Sequence, residues 1–288
     1  MTAYDPRVTP ARPDLAAAAL RGKVEAARYV EGRTMRCAEP VVDLRKAPDL
    51  SLGIETQALF GEDLVVFEEE EGWAWAQCAR DGYVGYVAAA SLAPPGPAPT
   101  HRVCVGRTHV YPAASIKTAP LTALTYDARL AVSGQDGVWA KTAQGFVFAA
   151  HLAPLDARAP DAVAAAEMFL GAPYLWGGRS SQGLDCSGLV QTALRAAGIE
   201  APRDSDMLLA VGAPLPLDAE LAHLQRGDLV FWKGHVGIMR DAQTLLHANA
   251  HHMLVASEPL AEARARIASN SFGEMIAARR PDYVSPDP

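Results

Sequence analysis

Apolar positions along this chain change period twice, and the changes mark its organisation. Over residues 13–30, Leu15, Ala19, Val24, Ala27 and Tyr29 stand among Arg, Lys and Glu at roughly helical spacing, which predicts an N-terminal helix. From about Gly32 the texture becomes short β-type runs separated by glycine-bearing turns, and it stays so to about residue 156. Beyond Ala159 it is mixed. Asp161 is placed as the N-cap of a helix running to Leu170 and stopped by Gly171 and Pro173. Leu189, Val190, Ala193, Leu194 and Ala197 give a second helix over 187–197, with Gly198 as its stop. Residues 229–232, 236–239 and 244–247 read as short strands. The last segment is therefore expected to be an α+β domain of ordinary size.

The β-rich part contains an internal repeat. Residues 85–94, Gly-Tyr-Val-Ala-Ala-Ala-Ser-Leu-Ala-Pro, recur as 145–154, Gly-Phe-Val-Phe-Ala-Ala-His-Leu-Ala-Pro, at a constant offset of 60. Upstream, Leu64-Val65-Val66 matches Leu130-Ala131-Val132, and Trp75-Ala76 is matched to Trp139-Ala140. Each copy is too small for a sandwich and the right size for a small barrel. The proline-rich stretch 94–99 separates them as a stiff linker. The expected division is a helical segment at 1–31, two barrels at 32–95 and 100–156, and the mixed domain at 159–288.

Charge and composition narrow the function. A net charge of −7 excludes nucleic acid as the expected partner, because phosphate binding needs clustered Lys and Arg. No run of about 18 apolar residues predicts a membrane span. Residues 1–7 lack the apolar core of a secretory signal, so the four cysteines read as reduced thiols and the expected compartment is cytoplasmic.

Candidate chemistry gathers between Tyr174 and His247. Cys186 falls in the first turn of its predicted helix, where unpaired N–H groups and the helix dipole favour a thiolate and should depress its pKa. Cys37, Cys78 and Cys104 have no such setting and read as core thiols. His235 lies between two glycines, and His247 follows 12 residues later. A hairpin turning around Arg240-Asp241-Ala242 would make the two rings direct cross-strand neighbours on one face. His235 could then take the thiol proton while His247 holds its other nitrogen. His251 and His252 suggest a metal cluster with His247, but no Cys-x-x-Cys spacing accompanies them, and neither metal nor cofactor is expected.

Together, Tyr174-x-Trp176-Gly177-Gly178, Asp185-Cys186-Ser187-Gly188, Gly227-Asp228-Leu229, Gly234-His235-Val236-Gly237-Ile238 and His247 resemble the NlpC/p60 family of papain-like cell-wall cysteine peptidases. The repeat is similar to bacterial SH3-like domains. The resemblance implies an α+β papain-like catalytic domain preceded by two small SH3-like β-barrels, with Cys186 as nucleophile, His235 as base and His247 as orienter. It also implies that the Tyr174 hydroxyl and the Cys186 N–H steady the oxyanion.

Tandem SH3-like domains without an export signal resemble the γ-D-glutamyl-L-diamino acid endopeptidases of murein recycling, which act on short murein peptides with a free N-terminal L-Ala. That resemblance implies Asp185 as the partner of the free amine, with Ser187 and Ser205 lining the same pocket. Glu55 and Tyr83 in the first copy are candidates for the remaining contacts. Glu55 faces Leu121 in the second copy, and Tyr83 has no counterpart there, whereas Tyr86 is matched by Phe146 and reads as core. The chain departs from the family's pattern at Asp206-Met207-Leu208-Leu209, where many relatives carry a Gln. A secreted wall endopeptidase or amidase and a non-catalytic wall-peptide binder remain as alternative readings. The sequence leaves the oligomeric state and the preferred diamino acid open.

Overall fold

A computed structural model describes residues 4–218, 221–270 and 272–283. It separates into two compact units that divide between Leu155 and Asp156.

In the first unit, Arg33–Cys37, Asp63–Glu70, Trp73–Cys78, Val84–Ala88 and Leu92–Ala93 form a five-stranded antiparallel sheet beside the pair Val41–Leu44 and Thr56–Leu59. The alternate residues Leu44, Leu64, Val66, Ala74, Ala76 and Val87 turn inward and make its core. The predicted repeat is visible in the element order. A strand at Val84–Ala88, a 3₁₀ turn at Ala89–Ser91 and a short strand at Leu92–Ala93 recur as Gly145–Phe148, Ala149–His151 and Leu152–Pro154. One match shifts. Trp73 pairs with Ala88 and Trp139 with Phe148, so at the offset of 60 Trp139 corresponds to Trp73 rather than Trp75. Strand pairing, not local sequence likeness, sets that equivalence.

The N-terminal helix expected at 13–30 is not formed. Leu15–Ala17 and Arg28–Val30 are short parallel strands with a 3₁₀ turn, Ala18–Leu20, between them. Gly22 at φ +78° breaks any continuous helix there. An isolated helix of this length is marginal in water, so tertiary contacts decide. The Val84 N–H donates to the Arg7 carbonyl at 2.7 Å, and the Arg12 guanidinium lies 4.4 Å from the Trp75 ring centroid. Arg12 also bonds the Tyr86 hydroxyl and pairs with Glu68. The segment is thereby laid as a strap along the sheet of the first repeat copy.

The second unit is built around a six-stranded antiparallel sheet, in the order Ala213–Leu215, Ala277–Arg280, Leu229–Trp232, His235–Met239, Thr244–Asn249, Leu254–Pro259. The three central strands are buried along almost their whole length, because helices cover them. The Cys186–Ala196 helix packs against the two histidine-bearing strands, and the Leu260–Asn270 helix against the last two. Val230, Trp232, Met239 and Leu245 meet Leu260, Ala263 and Ile267 in one apolar cluster. Asp161 caps the Ala162–Glu167 helix as expected, accepting from the N–H of Val163 and Ala164. Gly227 takes φ +92°, and buried Asp228 pairs with Arg280 at 2.7 Å, so this Gly-Asp turn ties the sheet's start to its last strand.

Candidate active site

Cys186 is the first residue of its helix, and Asp185 is the N-cap. Asp185 also holds the chain before it. One carboxylate oxygen accepts from the Gly188 N–H at 2.6 Å and the Ser187 hydroxyl at 3.3 Å, and the other from the Gly177 N–H at 2.9 Å. The Arg203 guanidinium grips both oxygens, at 2.9 and 2.7 Å, and donates to the Ser187 hydroxyl at 2.8 Å. Arg203 is 1% exposed. Gly177-Gly178 and Asp185-Cys186-Ser187-Gly188 are thus one buried assembly around a carboxylate, and Arg203 is its counter-charge. The family resemblance implies a substrate pocket for Asp185 and Ser187. In the structure their polar atoms are engaged with this assembly, five donors meeting the Asp185 carboxylate.

The two histidines meet, though not in the register expected. Ile238 pairs with Leu246 and Met239 with Leu245, a register that sets His247 opposite Gly237 and makes His235 its diagonal neighbour. The turn centres one residue later than predicted, with the Arg240 N–H bonded to the Thr244 carbonyl at 2.8 Å. A slip of two keeps the face, so both rings remain on one side of the sheet. His235 Nε2 lies 2.8 Å from His247 Nδ1. Gly237 makes room, since a Cβ there would sit 2.6 Å from a Leu245 methyl and 3.2 Å from the His247 Cβ. Phe272 stacks on the His235 ring at 5.6 Å and 6°.

Tyr174, Cys186, His235 and His247 line one cleft of about 230 Å³, with Trp176, Asn249, Arg266 and Phe272 among its other walls. The Asn249 carboxamide oxygen accepts from the His252 N–H at 2.8 Å, which fixes its orientation and leaves the buried Nδ2 without a partner among the described residues. Ser205 opens the short Ser205–Leu208 helix and is absent from the cleft's lining. In the first unit Tyr83 is buried and Glu55 half-buried, with no ion pair of Glu55 among the described residues. His251 and His252 stack edge to face, and no metal-binding group of three occurs among the described residues.

The protonation pattern corrects one expectation. Burial pushes the Cys186 thiol up to about 12, with the Asp185 charge adding to the rise, instead of the depression a helix terminus would give. The Val236 and Ser187 N–H groups and Arg203 pull the other way and are outweighed. The N-cap carboxylate answers the helix dipole before the thiol can use it. Burial likewise brings His235 down to about 3, with His247 and Arg266 adding to it. Both groups are neutral at rest, so the thiol proton moves only as a bond forms at sulfur. His235 Nε2 is engaged with His247, which leaves Nδ1 to receive it.

These values carry a stability prediction. A buried His235 at about 3 against an ordinary value near 6.5 means that the unfolded chain binds the extra proton between those limits. Stability present above pH 6.5 is therefore lost as the pH falls toward 3. Denaturant unfolding between about pH 7.5 and about pH 5 should show a falling midpoint, with a flatter dependence in His235→Gln. An equal slope in the variant would assign the loss to other groups.

Comparison with known proteins gives the family. Residues 171–266 match the NlpC/P60 family model, and residues 44–92 match the model of the bacterial dipeptidyl-peptidase Sh3 domain. The chain belongs to the NlpC/P60 family of peptidases, with an SH3 domain ahead of the catalytic one. It is 31% identical over 217 residues to the gamma-D-glutamyl-L-lysine dipeptidyl-peptidase of Bacillus subtilis (strain 168), covering 68% of this chain and 72% of that protein. A Bacillus cereus (strain ATCC 10987 / NRS 248) protein of the same name is 28% identical over 204 residues, 62% of this chain and 60% of that one. In fold, the crystal structure of an NlpC/P60 family protein from Bacillus cereus ATCC 10987 superposes with a TM-score of 0.73 at 22% identity, covering 88% of this chain and 100% of that chain.

Sequence reasoning missed three residues of the site: Arg203, Asn249 and Glu258. The last lies 2.7 Å from His247 Nε2 through Oε1. Arg203 and Glu258 are ordinary charges in sequence, and only strand register or a long-range fold brings them to their partners.

Proposed function

We propose that this protein is a cytoplasmic cysteine endopeptidase that hydrolyses the γ-D-Glu–diamino acid bond of short murein peptides with a free N-terminal L-Ala. The single observation that carries the chemistry is the joint presence of Cys186 and the His235–His247 pair, 2.8 Å apart, in one cleft. As the sulfur bonds to the carbonyl carbon, the thiol proton passes to His235 Nδ1. The oxyanion meets the Tyr174 hydroxyl and the Cys186 N–H. Collapse expels the diamino acid's amine, which takes the proton back from His235, and leaves a thioester. Water then gives a proton to His235 and its oxygen to the acyl carbon, and the thiol is restored.

The substrate class rests on the names of the two Bacillus relatives and on the repeat, which we read as two tandem SH3-like barrels. Asp185, beside the nucleophile, is the proposed partner of the free amine.

Incubating the full chain with L-Ala-γ-D-Glu-diaminopimelate and with its N-acetylated form tests this reading. The free peptide should be cleaved, and acetylation should lower kcat/KM by about 10²-fold or more, the scale of losing a buried charged contact. Equal cleavage would sink the amine recognition and leave the peptidase standing. Cleavage of neither would sink both. Recovery of most of the protein outside the cytoplasm on fractionation would instead favour a secreted wall enzyme.

A further inference from the structure

The proton relay does not stop at His247. On the neighbouring strand Ala256 stands directly opposite His247, and Glu258 stands opposite Leu245. Glu258 is therefore the diagonal neighbour of His247 on the same face, within reach of a long side chain. Its Oε1 lies 2.7 Å from His247 Nε2. Arg266, from the helix that follows, donates to both carboxylate oxygens at 2.5 and 2.6 Å. The His247 side chain is fully buried and that of Glu258 is 10% exposed. Resting on the peptidase reading above, we infer that Glu258 is a positioning residue of the active site, which sets the protons of both histidines so that His235 presents a bare Nδ1 to the thiol.

Burial alone would raise the Glu258 carboxyl, but hydrogen bonds from His247 and Arg266 hold it well below the usual range, and it stays ionised. An ionised carboxylate only accepts, so His247 Nε2 carries a hydrogen. Burial disfavours a second proton on His247, so its Nδ1 is a lone pair. Across the 2.8 Å contact, His235 Nε2 must then be the donor. A neutral imidazole has one hydrogen, which leaves His235 Nδ1 free to accept. Once His235 has taken the thiol proton it still donates through Nε2 to the same lone pair. A single arrangement thus serves the neutral and the charged states, and no ring has to turn between them.

The charged or titratable groups facing His247 are Glu258, Arg266, His235 and His252. Among these only Glu258 makes a hydrogen bond to Nε2. An amide in its place can offer N–H to Nε2 instead. His247 would then donate from Nδ1, His235 would accept at Nε2, and the His235 hydrogen would move to Nδ1, where it faces the thiol.

Nitrogen-15 spectra of the imidazoles in the full chain, labelled at histidine, read these tautomers without any variant. The wild type should show Nε2–H on both His235 and His247. Glu258→Gln should invert or scramble that pattern and lower kcat by about 10²- to 10⁴-fold with KM within about twofold, while Glu258→Asp should recover part of the loss. The pH profile of thiol alkylation should shift in Glu258→Gln. Nδ1–H on His247 in the wild type would overturn the inference. So would a folded Glu258→Gln with native tautomers and unchanged kcat. A wild type that fails to cleave any peptide would remove the peptidase reading alone, since the spectra still report whether Glu258 sets the protons.

Discussion

Cys186→Ala should reduce peptide hydrolysis to the solvent background, a loss of about 10⁴-fold or more in kcat, with substrate affinity kept. The sulfur makes the covalent bond to the acyl carbon on which the proposed thioester depends, and no neighbour can replace it. The Tyr174 hydroxyl and the two histidines would remain in the cleft. The thiol is 8% exposed and packed at the start of its helix, so the smaller alanine leaves a modest void and the melting temperature should move little. Steady-state kinetics with an intact-mass search for the thioester make the test specific. Cys37 and Cys78 belong to the core of the first repeat copy, and replacing them should leave turnover intact. Hydrolysis persisting in Cys186→Ala would end the thiol mechanism.

Arg203→Ala should be the most destabilising single change near the site, by about 3–5 kcal/mol. The guanidinium is 1% exposed and pairs with a carboxylate whose side chain is 11% exposed. Removing it strands the Asp185 charge where only two backbone N–H groups and the Ser187 hydroxyl remain to hold it. Arg203→Lys keeps the charge but loses the two-pronged grip, so it should cost less yet still disturb the Cys186 helix. The pair Asp185→Asn with Arg203→Met should cost less than the sum of the single changes, because neither then leaves an unpaired charge. Denaturant unfolding, followed by tryptophan fluorescence, measures the wild type, each single variant and the double one. A cost below about 1 kcal/mol for Arg203→Ala would mean that the carboxylate is held by hydrogen bonds alone.

The helices and strands that sequence reading found are those whose signals are local. Asp161 caps its helix where a cap residue precedes an apolar period, and the Leu189 to Ala197 spacing gave the buried helix behind Cys186. Strands read at 229–232, 236–239 and 244–247 from short apolar runs appear as Leu229–Trp232, His235–Met239 and Thr244–Asn249. Missed were Leu254–Pro259, Ala277–Arg280 and the Leu260–Asn270 helix, whose polar and apolar residues mix without a clear period. The N-terminal segment failed in the opposite sense. Its helical spacing was real, but bonds to Val84, Tyr86 and Glu68 outweighed a weak local preference.

By itself the sequence determined the chemical parts: a cysteine at a helix start, two histidines on adjoining strands, and a duplicated β module ahead of them. Those depend on spacing along the chain, which periodicity reports directly. Only the tertiary structure decided what each part touches. The hairpin register put His247 opposite Gly237 and brought Glu258 to its far nitrogen. The fold carried Arg203 back to Asp185 and paired it with the helix cap. Burial then raised the thiol pKa that the helix terminus alone would have lowered. The physical reason is that hydrogen-bond partners and desolvation are set by neighbours distant in sequence, and local pattern carries no record of them.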